Sequence, residues 1–229
     1  MKTSQVIKDK ILGFLDYLFR LVMINVLIIV PSFSFIFIYS YFDNIENNIW
    51  LYLTLIPIIL YLIPAIVAGF ACIKMYEDNG STGIFKEFFQ FLKKYYKKSI
   101  LFSLVFSLAA ILLANSIFYF YDQMSYGVIN VIGFFLSISV ALILIFMVIH
   151  IPLTIVYFED LQLKECLKIS MLMTFKNIWK TLLMFVCLIV FIILDSFVLY
   201  FMAFLGFSLP IYILVKLSFK QYITIYRKL

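Results

Sequence analysis

Glycine is scarce in this chain, at seven of 229 residues, although helices that cross membranes commonly use it to bring backbones close. Charge is scarce too, at 13% of residues against 66% hydrophobic. A soluble domain is about a quarter charged and about half apolar. This composition therefore excludes a fold that meets only water, and part of its solvent is lipid. The single histidine, His150, leaves no set for a His-based metal centre. The three cysteines, Cys72, Cys166 and Cys187, lie far apart without ligand spacing and read as reduced packing residues. The chain has no Walker-type glycine-rich loop, GxSxG, HExxH or CxxC, and its connections are too short for a catalytic domain. Both points argue against an enzyme and against a bound cofactor. No cleavable signal peptide is expected, because the first apolar run is too long and no small-residue cleavage site follows it.

What is present is a series of long apolar runs. A helical crossing needs about 20 residues, and five runs qualify, at 17–41, 50–73, 99–121, 128–157 and 181–204. The closing segment, 205–229, is shorter in its apolar part and is interrupted by Lys216. It reads as a sixth crossing or as a half-inserted helix. The expected fold is an all-α polytopic transmembrane bundle of five to six spans, forming one membrane domain over 1–229.

Charge sets the orientation. The connections DNIENN (43–48), DQMSYG (122–127) and LGFSLP (205–210) contain no lysine or arginine. All eighteen basic residues fall on, or can snorkel towards, the alternate side, which the positive-inside rule makes cytoplasmic. A multi-pass protein of the bacterial inner membrane with both termini inside is the expectation if six segments cross.

Two stretches on that side read as amphipathic interfacial helices. In GIFKEFFQFLKKYYKKSI (83–100), Phe85, Phe88, Phe89, Leu92, Tyr95 and Tyr96 recur at helical steps, while Lys86, Lys93, Lys94 and Lys97 take the other side, with Lys98 following. Rings in the acyl boundary and ammonium groups at anionic lipid head groups would satisfy both sets. Flanking by two spans argues against nucleic acid. The second stretch, 158–180, repeats the charges at an offset of 82: Glu77-Asp78 match Glu159-Asp160, and Lys86, Lys94 and Lys98 match Lys168, Lys176 and Lys180. Ser99 pairs with Thr181. A parallel repeat of 50–121 and 128–204, or coincidence between lysine-rich loops, explains the match.

A few polar residues sit inside the apolar runs. Asp195, in FIILDSFVLY, is costly in hydrocarbon and should be paired, protonated or near water. Asn115, Ser116, Asn130 and Ser196 can join it in a polar cluster, and Lys216 can approach it if the last segment packs alongside. The cluster reads either as an ion, proton or substrate site or as structural hydrogen bonding. His150 reads as a charge switch or as a packed, hydrogen-bonded side chain. Asp16 and Arg20, four residues apart, are placed for an ion pair. Pro31, Pro57, Pro64 and Pro152 fall within spans and are candidates for kinks around a cavity or hinge.

The order of diffuse motifs carries a family resemblance. Asp16-Tyr17-Leu18-Phe19-Arg20 followed by Asn25, Pro64-Ala65 leading through Lys74 to FKEFFQFLKKYYKKS, Pro152-Leu153 with FEDLQLKECLKISMLMTFKN, and the closing GFSLPIYILVK together resemble the YesL-like family of bacterial integral membrane proteins. The resemblance implies a small polytopic inner-membrane protein of unknown biochemical function and supplies no catalytic residue. Some members are encoded beside carbohydrate-uptake transporters and glycan-degrading enzymes. The expectation that follows is a non-enzymatic accessory or regulatory component of a carbohydrate transport system, in contact with a transporter complex. A transporter or channel in its own right is the alternative.

Overall fold

The structure is a computed structural model that describes residues 12–29, 58–79, 83–197 and 205–226, with only the backbone given at several of these, among them Asp195 and Ser196. Pro31, Pro57, the 43–48 connection and the outer half of the first expected span lie outside the described residues.

Seven helices account for the described chain. They are α1 (Leu12–Ile29), α2 (Ile63–Asn79), α3 (Ile84–Asp122), α4 (Val128–Tyr157), α5 (Leu163–Lys176), α6 (Ile178–Phe197) and α7 (Ser208–Tyr226). A π-turn, Ile58–Leu62, leads into α2, and a short 3-10 turn, Met124–Tyr126, joins α3 to α4. No strand occurs among the described residues. Four helices are long and apolar enough to cross a membrane, and the bent pair α5–α6, counted as one span, makes five. Of α7, the described apolar part is Ser208–Ser218, shorter than the about 20 residues of a crossing, and the sixth expected crossing is not among the spans counted.

The first amphipathic stretch is not a separate interfacial helix. It is the start of α3, which runs unbroken for 39 residues, about 58 Å at 1.5 Å per residue. Its inward stripe is Phe88, Tyr95, Ser99 and Phe102, at seven-, four- and three-residue steps, whereas Phe85, Phe89 and Tyr96 stay exposed. The two sets of rings therefore separate, one joining the core and one facing outward. The second stretch is a helix of its own: α5 ends at Asn177, and α6 leaves at 96° to it. A capping box starts α5, with the Glu165 carboxylate accepting the Gln162 backbone N–H at 2.9 Å.

Burial is concentrated at the lysine-bearing end, here called the basic end. In α4 the last turns, Ile149–Tyr157, are buried, while Ile129, Ile132, Phe135 and Leu136 at its start are exposed. Two of the scarce glycines serve close approaches. A Cβ on Gly69 would lie 3.2 Å from Ile28 and 3.4 Å from Ile211, where α1 and α7 close on α2. A Cβ on Gly133 would lie 2.6 Å from the Phe120 ring, so glycine lets α3 and α4 meet beside their turn.

Candidate functional site

Three constellations lie at or near the basic end. The first is a set of ties between helices. Glu159, just past α4, accepts hydrogen bonds from Lys94 and from the Tyr95 hydroxyl, and its carbonyl accepts one from Lys98. Partial burial works against its charge, but the bonds from Lys94 and Tyr95 outweigh it and hold the carboxyl below the ordinary glutamate range. Lys74 donates to the Val156 carbonyl at 3.1 Å and sits 4.5 Å from the centre of the Tyr157 ring. Arg20 pairs with Asp16 at 2.8 Å, as their spacing indicated, and its guanidinium also covers Tyr76.

Lys216 donates to Glu77 at 2.6 Å. It thus turns towards the basic end, and the approach to Asp195 is not what its ammonium does. The side chains of Asp195 and Ser196 lie outside the described residues. Two other members of the expected cluster spend their bonds locally. Ser116 returns its hydroxyl to Leu112, Asn130 donates to the Gln123 carbonyl in the outer turn, and Asn115 is exposed. The structure therefore brings no polar cluster together from Asn115, Ser116 and Asn130.

The second constellation is buried, and only its histidine was singled out in the sequence. The His150 ring meets the Tyr222 hydroxyl through Nδ1 at 3.2 Å and the Thr181 hydroxyl through Nε2 at 3.0 Å. Tyr222 donates to the His150 carbonyl at 3.1 Å, Thr154 donates to the same carbonyl at 2.9 Å, and Ser170 donates to Thr154 at 3.0 Å. All of these side chains are fully buried. A neutral imidazole with its proton on Nδ1 satisfies the ring: Nδ1–H donates to Tyr222, and Nε2 accepts from Thr181. The cluster joins α4, α5, α6 and α7, and its bonds cross the bend at Asn177, from Ser170 on one side to Thr181 on the other. The available signal was the 166, 170, 174 spacing on α5, which places Ser170 and Thr174 on its buried stripe.

Another buried amide went unassigned. The Asn25 side-chain carbonyl accepts the backbone N–H groups of Phe207 and Ser208, at 2.8 and 3.3 Å. From α1 it caps the start of α7.

The third constellation is the surface. Lys86, Lys93, Lys97, Lys168, Lys176 and Lys180 are exposed, and no salt bridge reaches them among the described residues. Lys94 and Lys98 are drawn into the Glu159 tie instead. The result is a cationic end on an apolar bundle, able to bind anionic groups without first breaking an internal pair.

These features define the class: a multi-pass, all-helical membrane protein with a charged end and no assembled catalytic constellation among the described residues. Residues 45–117 match the family described as "Protein of unknown function, DUF624". The matched stretch holds α2, the first turns of α3 with Lys86 to Lys98, and most of the rest of α3, but not the His150 cluster. No curated protein and no solved structure matches the chain.

Proposed function

We propose that this chain is a non-enzymatic accessory component of a bacterial inner-membrane transport system, with its basic end in the cytoplasm. The observation that carries the reading is the set of exposed lysines on α3 and α5–α6 that no salt bridge reaches among the described residues. Lys86, Lys93 and Lys97 fall within the stretch that resembles DUF624. The order of motifs along the chain is similar to the YesL-like members of that family, and the link to carbohydrate uptake rests on this similarity alone. Charge of one sign steers and orients an acidic partner surface or anionic lipid head groups, and it does so best at low salt.

The tie at Glu159 contributes by fixing the stretch after α4 against α3, which holds the lysines of the first turns in one arrangement. A transporter in its own right would need polar groups converging along a route. Ser116 and Asn130 instead bond within their own helix and turn, and Asn115 is exposed.

The test is affinity purification of the full chain in mild detergent. A permease subunit of a sugar transporter is expected to co-purify, and to be lost when Lys86, Lys93 and Lys97 are all changed to Glu. Recovery of this chain alone overturns the proposal. Labelling of Cys introduced at 93 in intact cells checks the orientation: protection until the membrane is opened is expected.

A further inference from the structure

A cavity of about 670 Å³ opens between α2, α3, α4, α6 and the start of α7. Four walls are about two turns high, Ile63 to Phe70, Ser99 to Phe106, Val148 to Ile155 and Gly206 to Leu214, and the fifth, Leu188 to Ile192, is little more than one. Among the described residues the lining is aliphatic and aromatic except for two hydroxyls, Ser99 and Ser103. Pro152 is part of the wall and has no N–H to return to the Val148 carbonyl.

The two serines differ. Ser99 donates to the Tyr95 carbonyl at 2.9 Å. Ser116, Ser137, Ser139, Ser170 and Ser218 likewise bond to the carbonyl four residues back. Ser103 does not: its Oγ is buried and has no partner among the described residues. A buried hydroxyl without a partner is costly. Ordered water is a poor remedy, since it needs two to four polar partners and this wall offers few. An apolar molecule carrying one acceptor at the level of Ser103 answers both facts. The volume lies in the range of clefts that enclose a ligand, about 300–1,000 Å³.

Depth identifies the ligand. Ser103 lies five residues beyond Lys98, roughly 7.5 Å along the axis of α3. The interfacial layer of a bilayer is about 5–7 Å thick on each side of the hydrocarbon. With Lys98 at head-group level, Ser103 stands at the edge of the hydrocarbon, where the ester carbonyls of a glycerophospholipid lie. We propose that this cavity binds an anionic glycerophospholipid from the leaflet at the basic end. Its acyl carbons fill the space between Val67, Phe102, Phe106, Ile151 and Ile211, an ester carbonyl accepts from Ser103 Oγ, and its phosphate stays at the level of the lysines. The inference stands on the cavity and does not depend on the transport reading.

The experiment uses the full chain in vesicles of phosphatidylcholine and phosphatidylglycerol, with phosphatidylglycerol carrying a photoreactive diazirine on its acyl chain. Crosslinks are expected at Phe102, Phe106 and Ile211, in excess of those at the exposed Phe118 and Ile129. Ser103→Ala should lower cavity labelling roughly 2- to 10-fold, the loss that one neutral hydrogen bond represents, and Ser116→Ala should leave it unchanged. Val67→Phe, which fills the space, should abolish it. If that variant fails to fold, an ether-linked analogue of the same probe removes the acceptor without touching the protein, and should label as weakly as Ser103→Ala. Equal labelling by ester and ether probes, or crosslinks no stronger in the cavity than at Phe118, overturns the proposal.

Discussion

The two helix-to-span units, aligned at an offset of 82, carry the same charges on different backbones. In the first, α3 runs straight from Lys86 through Asp122. In the second, the chain breaks at Asn177 and turns by 96°. The offset pairs Tyr95 with Asn177, Ala68 with His150, Cys72 with Thr154, and Phe88 with Ser170. Where the helix is continuous, these positions are apolar or aromatic and buried. Where it is broken, they are polar. A break releases backbone groups that the helix would have paired, and something must pair them. The Asn177 carbonyl accepts the N–H groups of Lys180 and Thr181 at 2.9 and 3.0 Å, and side chains around His150 cross-link the pieces. The lysines therefore match at this offset while the buried positions do not, and the two stretches differ in backbone where their buried residues differ.

The largest effect expected from breaking this contrast is at His150. His150→Leu removes the imidazole that joins Tyr222 to Thr181 and leaves Tyr222 with the backbone carbonyl of residue 150 and Thr181 with the carbonyls of Thr174 and Asn177, which should cost about 1–2 kcal/mol. Unfolding in mixed micelles measures this, and spin-label distances between α5 and α6 should broaden. Thr181→Val should cost about 1 kcal/mol, because it strands His150 Nε2. Its counterpart Ser99→Ala should cost about 0.5 kcal/mol or less, since Ser99 bonds only to its own helix. Equal losses would mean that Thr181 contributes nothing to the bend.

The paired glutamates sharpen the comparison at smaller scale. Glu159→Gln weakens a site with two side-chain donors, whereas Glu77→Gln weakens a single bond to Lys216. Both changes should stay under about 1 kcal/mol at such exposed positions, with the Glu159 loss the larger. The sign with pH follows from the lowered carboxyl. The contribution of Glu159 is complete above the ordinary glutamate value of 4.5 and is lost as pH falls below it, through the lowered folded-state value. Wild type and Glu159→Gln should therefore converge in stability in acid, and added salt should narrow the gap at neutral pH.

How much of this was legible follows the same division. Apolar run length showed the helices, because a span must be long and uninterrupted whatever it packs against. The four-residue step from Asp16 to Arg20 showed their ion pair, which is a local matter. The unbroken passage through Lys98 into α3 was not legible, because an amphipathic stretch followed by a span reads identically whether or not the chain turns between them. The partners of His150 come from residues up to 72 positions away, beyond any periodicity. The Glu77–Lys216 pair, 139 positions apart, was hidden for the same reason, and it displaced the expected approach of Lys216 to Asp195. Asn25 belonged to a motif, but its task on α7 needed the packing of α1 to be seen.

The unbroken length of α3 has a mechanical corollary. The rod that carries Lys86 and Lys93 at one end also carries Phe102, Ser103 and Phe106 further along. With no hinge between them, the outer turns act as a lever arm. Whatever seizes the lysines therefore holds the same unbroken shaft that walls the greasy chamber further along.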